Sequence, residues 1–336
     1  MIMRTLGVLA LLVFGCDDGG GGGSDGGAGG GGGVPSPIEG NAETLVFSAT
    51  YDQMNTLVDG AGFGGASFGD PTVFIASMAT APSEPGLLAS LWYETDRLED
   101  VVGRVRDRRT GLTADDNVGS RTTQRIGLAL TLGPEAMGDG RGGARWQGQT
   151  VVRSLDQAFL LMAYSGLGER SAAGFDRTLG LLWSESGTPH GLGAVIAAAD
   201  AACGTTHLAD IAATLAAVRD PFVAELAASG LPDSLGRLVI EPGAVPEYDA
   251  AADTVEGHLT AGLGLAFLKL MDGDIDAGTQ AAALAAFEGI GARVRASGVA
   301  GVDGIGALLD ASDAGSVDAG EVRRLVSEAL GVTCGS

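Results

Sequence analysis

The chain has 336 residues and a formal net charge of −22, with 42 acidic side chains against 20 lysines and arginines. Such an acidic polypeptide excludes nucleic acid and anionic lipid surfaces as partners of its body, because phosphate recognition needs clustered cations. Lys269 is the only lysine, which leaves no place for a phosphate-loop lysine or a Schiff-base lysine.

Met1-Ile2-Met3-Arg4 is a short basic start, and Thr5 to Phe14 is an apolar run. Its residues would rise about 15 Å as a helix, half a bilayer core, which is signal-peptide length and too short to span. The run ends in Val13-Phe14-Gly15-Cys16. This resembles the bacterial lipobox, with an aliphatic residue three before the cysteine and a small residue just before it; Phe14 is larger than the residue usual there. The resemblance implies cleavage after residue 15 and lipid on Cys16, each buried CH₂ contributing about 0.8 kcal/mol to the anchor. It also implies a bacterial cell-envelope address with membrane contact through that lipid. The alternative is an ordinary secretory signal with a chance cysteine. Asp17 resembles the inner-membrane retention signal of enteric bacteria, a rule that differs between bacteria, so the choice of membrane stays open.

Asp17 to Gly33 is almost all glycine and buries no apolar surface. Val34-Pro35-Ser36-Pro37 then stiffens the exit, so residues 16–42 read as a lipidated cysteine and flexible tether. The roughly 295 residues that follow suffice for a sizeable core. With Cys16 assigned to lipid, Cys203 and Cys334 remain. In an oxidising compartment they read as one disulfide, which would close a loop of about 130 residues and contribute up to about 4–5 kcal/mol.

From Glu43 onward the apolar spacing is mostly helical. Glu84-Pro85 opens a helix through Leu88, Leu91, Trp92, Leu98 and Val102. Thr150 to Tyr164 puts Leu155, Phe159 and Met162 on one face, and Phe175, Leu179 and Leu182 repeat the pattern. Ile211, Leu215, Val218 and Phe222 do so again, followed by Leu263, Phe267 and Leu270. Breakers are expected at Gly166-Leu167-Gly168, Thr188-Pro189, Gly204-Thr205, Gly230-Leu231-Pro232 and Pro242 to Pro246. Only Thr72 to Ile75 has strand character. The expectation is an all-α body: a main helical domain over 43–241 and a C-terminal helical subdomain over 249–334.

Asp310 to Glu321 reads D-A-S-D-A-G-S-V-D-A-G-E. It resembles the twelve-residue EF-hand calcium loop. The resemblance implies side-chain ligands from Asp310, Ser312, Asp318 and Glu321 and a backbone carbonyl from Ser316, with Gly315 at the sharp turn and Val317 at the position that joins a partner loop. Ala314 departs from the pattern, where the family has an oxygen side chain. Asp272 to Thr279 matches Ala314 to Glu321 in register, with four of eight positions identical. Leu268, Leu270 and Thr279 stand where the first loop would need ligands, so the pair reads as one structural hand and one that binds weakly, at about 10⁻⁴–10⁻³ M. The other reading of both segments is Asp-Ala-Gly as ordinary helix-capping chemistry.

Gly65-Ala66-Ser67-Phe68-Gly69 matches the nucleophile-elbow string and Gly60 to Gly65 matches G-x-G-x-x-G, but neither has the strand and helix its chemistry needs. His190, His207 and His258 show no local zinc spacing, and each reads as a structural histidine; a metal site built from distant helices stays open. Helical envelope proteins of the imelysin kind carry G-x-H-x-x-E, which Gly257-His258-Leu259-Thr260-Ala261 lacks. Arg104, Arg106, Arg108 and Arg109 form a basic island beside Glu94, Asp96, Glu99 and Asp100, either self-paired or able to grip an anionic solute. Gln147, Gln149 and Arg153 read as the solvent edge of an apolar helix face. The leading expectation is a non-enzymatic, lipid-anchored envelope protein for binding or organisation, with possible calcium at 310–321. The alternative is a metal-dependent or hydrolytic envelope enzyme whose site is assembled from separated helices.

Overall fold

Apolar residues at helical spacing, bounded by caps, produce an all-α body: about 70% of the described residues are helical. The computed structural model describes residues 33–40, 44–45, 48–49, 51–52 and 144–335 apart from 235, 311 and 312. The main helices are α1 (Ala144–Glu169), α2 (Ala172–Leu182), α3 (Leu192–Cys203), α4 (His207–Ser229), α5 (Pro246–Leu270) and α6 (Ala277–Ala296). The short α7 (Ile305–Leu309) and α8 (Ala319–Leu330) close the chain. Between α4 and α5 an antiparallel pair, β1 (Leu231–Pro232) and β2 (Leu238–Val239), forms the only sheet among the described residues.

The boundaries follow from local chemistry. Ser171 precedes α2 and accepts the Gly174 N–H. Gly204 ends α3 in the left-handed conformation at φ 69°, which a glycine adopts without a Cβ penalty. Pro246 opens α5, where a missing N–H costs nothing. Asp276 and Asp318 cap α6 and α8 through their side chains.

Packing is dominated by two layers of contact: α6 lies along α1, and α5 lies along α3 and α4. Helix α8 rests on α5 and α6. The Pro242–Pro246 segment is therefore a turn into a helix that packs on helices from before it. Phe222 stacks between Phe175 and Tyr248, with ring centroids 6.0 and 4.4 Å away. Cys203 at the end of α3 is bonded to Cys334, a sequence separation of 131, so the C-terminus is held to the middle of the body. In the chain-entropy account a loop of this length adds up to about 4–5 kcal/mol.

Two expectations are corrected. Gly166-Leu167-Gly168 does not break a helix; it lies inside α1. Gly166 is there for close approach: a Cβ on it would come within 2.5 Å of the Gly174 carbonyl oxygen of α2, and a Cβ on Gly174 within 2.2 Å of the Gly166 carbonyl oxygen. Arg153 is not at a solvent edge. It is 1% exposed and pairs with Asp156, 4% exposed, at 2.8 Å. The Tyr51 hydroxyl donates to the same carboxylate. From Val152 to Tyr164 every residue of α1 is buried, so the helix is covered all round rather than on one face.

The segment entering the body is held by a buried carboxylate. Asp176 on α2, fully buried, accepts backbone N–H groups from Ile38 and Glu39 at 2.6 Å and from Gly40 at 2.8 Å. Arg219 of α4 donates to the Ser36 and Pro37 carbonyls at 2.7 and 3.2 Å.

The glycine at the α1–α2 crossing separates two outcomes. Gly174→Ala is expected to lose about 1–3 kcal/mol through overpacking. Gly257→Ala, within α5 and with open space around its Cβ, is expected to gain about 0.5–1 kcal/mol. Urea unfolding of both variants checks this, and equal effects would contradict the close-approach role.

Candidate functional site

The C-terminal loop is built from helix caps. Asp310 ends α7. Asp313 accepts the Gly315 N–H at 3.1 Å, and the Ser316 hydroxyl donates to the Asp313 carbonyl at 2.6 Å, which shapes a 3₁₀ turn over Ala314–Ser316. Val317 is buried. Asp318 accepts the Glu321 N–H at 2.9 Å, and both oxygens of Glu321 accept from Arg324 at 2.8 Å. The Arg324 hydrogen bond holds the Glu321 carboxyl below its ordinary value. Ser312 lies outside the described residues.

The upstream match has the same cap: Asp276 accepts the Thr279 N–H at 2.7 Å. The two units touch through Arg323 of α8, which pairs with Asp272 at 3.0 Å and donates to the Leu268 carbonyl at 3.0 Å. Lys269 pairs with Asp272 at 2.9 Å, and its hydrogen bond, followed by the nearby Arg323 charge, keeps the Asp272 carboxyl below its usual range.

Cys16, Ser67, the Gly60 to Gly65 string and the Arg104 to Arg109 island lie outside the described residues. The side chains of Gln147 and Gln149 lie outside the described part of α1.

A different cluster is assembled by the packing of α4 on α5. His207 is the first residue of α4, following Thr206, and Asp210 is one turn further on. His258 sits within α5, a helix that lies against α4. The two imidazoles meet Nδ1 to Nδ1 at 3.0 Å, with ring centroids 5.3 Å apart and planes inclined at 52°. One ligand atom from each of His207, Asp210 and His258 lies within 4.8 Å of the others. Among the described residues this is the one such grouping of histidine, cysteine and carboxylate side chains.

The start of α4 is pinned from both sides. Asp200 of α3 accepts the Leu208 N–H at 2.9 Å and the Thr205 hydroxyl at 2.5 Å. Thr206 donates its hydroxyl to Asp210 at 3.0 Å. Burial lowers the His207 imidazole from its ordinary value; the Asp200 charge opposes that shift, His258 reinforces it, and Asp210 opposes it. A 3.0 Å contact between two ring nitrogens needs one donor and one acceptor, so the pair shares a proton when one or both rings are neutral.

His190 is a satisfied structural residue, with Nε2 2.9 Å from the Gly180 carbonyl oxygen. His207 and His258 are not single residues in that sense. Their partnership escaped sequence reasoning because they are 51 positions apart. The one local signal was His207-x-x-Asp210, a spacing that places both side chains on one helical face.

No protein-family model matches the chain, no curated protein matches it in sequence, and no solved structure matches it.

The His207 environment predicts a pH dependence. Its folded-state value lies below 6.5, so the unfolded chain takes up a proton first as pH falls. The stability attached to neutral His207 is complete above that value and is lost as pH falls through the folded-state value. The facing groups are Asp200, Asp210 and His258. Melting temperature followed from pH 7.5 to pH 5 is expected to fall more steeply for the native chain than for His207→Asn; equal slopes would remove His207 as the cause.

Proposed function

We propose that the protein is an exported, lipid-anchored helical protein of a bacterial cell envelope, with a binding or organising role rather than a catalytic one. The observation that carries the reading is the Cys203–Cys334 disulfide, since such bonds form and persist in oxidising compartments. The lipobox-like Val13 to Cys16 and the glycine-rich run after it supply the anchor and the tether. The Asp176 clamp on residues 38–40 supports this role by fixing where a tether would leave the body.

The test is detergent phase partitioning of the protein made in a bacterial host. The native chain is expected in the detergent phase, and Cys16→Ala in the aqueous phase or retained with its signal. A native chain found in the aqueous phase would overturn the lipid anchor.

Calcium at 310–321 is a second reading. It is favoured by the placement of Gly315 in a tight turn, Val317 in the core and Glu321 in the first turn of α8. Asp310, Ser312, Ser316, Asp318 and Glu321 would supply the oxygens, and Glu321 would have to leave Arg324 to do so. Millimolar calcium is expected to raise the melting temperature of the native chain. The double variant Asp310→Ala, Glu321→Ala should lose that rise, and Arg324→Ala should enlarge it. A native chain insensitive to calcium leaves the capping chemistry as the full account of this loop.

A further inference from the structure

We propose that His207, Asp210 and His258 form a binding site for a borderline divalent transition metal such as zinc, cobalt, nickel or copper. The site does not depend on the cellular address, so failure of the lipid-anchor reading leaves it standing. It is also separate from the acidic loop at 310–321.

The donor set decides the class of ion. Two imidazoles and one carboxylate suit zinc, copper and nickel, whereas calcium and magnesium take oxygen ligands. The geometry is close to a ligand set already gathered. Two nitrogens 3.0 Å apart, each about 2.0–2.1 Å from a zinc ion, subtend an angle of roughly 95° at the metal. That is the edge of an octahedron. Reaching the tetrahedral angle needs the rings to part by only about 0.3–0.4 Å. Asp210 supplies a third donor from the same helical face as His207.

Both histidines are half-buried, so water has access to the remaining coordination positions. The ion would replace the proton shared between the two Nδ1 atoms: from a singly protonated pair that proton would pass to bulk water, and from a neutral pair its loss would be matched by protonation of the donor ring at Nε2, so that both ligands are neutral imidazoles. No bond in the protein is made or broken beyond the metal–ligand bonds. The site joins the first turn of α4 to the middle of α5, and the α3–α4 turn behind it is held by Asp200. These supports keep the ligands at their positions without the ion, so little ordering remains for binding to impose. The acidic body raises the local concentration of cations around the site.

The experiment uses the untagged full chain in detergent. Zinc is titrated by calorimetry, cobalt by its visible absorption, and the histidine ring signals are followed by NMR with cobalt present. The chain has three histidines, and His190 serves as an internal control. The expected result is a single equivalent of zinc, a cobalt absorption band, and loss of the His207 and His258 signals with His190 unchanged.

His258→Ala and His207→Ala are expected to lose more than the about 10–100-fold in affinity that removal of an outer-shell partner costs. Asp210→Asn should weaken binding less than either. No binding at millimolar zinc, binding unchanged in His258→Ala, or ring signals that stay unperturbed while zinc binds would each overturn the site. The last outcome would place the ion on carboxylates elsewhere. If an alanine variant fails to fold, the ring signals of the native chain still decide the matter.

Discussion

Helix α5 is the constraint around which the body is arranged. Its first half is amphipathic, with Ala251, Ala252 and Val255 inward and Asp253, Thr254 and Gly257 outward. From Gly262 to Leu268 every residue is buried. A helix apolar on all sides has to be covered on all sides, and α1, α3, α4, α6 and α8 all pack on it. The glycines of this half set how near the covers come. A Cβ on Gly262 would meet Ile196 of α3 at 2.7 Å, and one on Gly264 would meet Leu330 of α8 at 2.6 Å. Because α4 is drawn against the amphipathic half, His258 is brought to the start of α4, where His207 waits. The candidate metal site is thus a consequence of how α5 is covered.

Two carboxylates inside the body, Asp176 and Asp156, are held to specific partners. The Asp176 carboxylate replaces its water with three backbone N–H groups from residues 38–40, which compensates its desolvation and ties the entering segment to α2. The Arg153–Asp156 pair is nearly fully enclosed. A pair of this kind adds little net stability over apolar side chains, yet removing one partner costs about 3–5 kcal/mol because a charge is stranded.

The two Asp-Ala-Gly segments use the same capping chemistry. Asp276 and Asp318 both accept the N–H three residues on, which is the bond an N-cap requires. The same turn brings the final glutamate of the second string, Glu321, beside Arg324. The Asp318 carboxylate is thus engaged as a cap and the Glu321 carboxylate by Arg324.

The sequence by itself determined the helical class, the periodic core faces and the cysteine pairing. Ile211, Leu215, Val218 and Phe222 lie inward as their spacing requires, and Cys203 meets Cys334, the pairing expected with Cys16 assigned to lipid. The helix stop at Gly204 was also legible, since a left-handed glycine at a helix end is a local matter of backbone conformation. What the sequence could not convey was which surfaces face each other. Gly166 reads as a breaker because its role is to let α2 approach α1, a fact about the partner helix. Arg153 read as exposed because its burial depends on Asp156 and Tyr51, the latter more than a hundred positions away. His207 and His258 read as isolated for the same reason. Local spacing follows from the 3.6-residue repeat of a helix, whereas a site shared by two helices exists only once apolar burial has set them side by side.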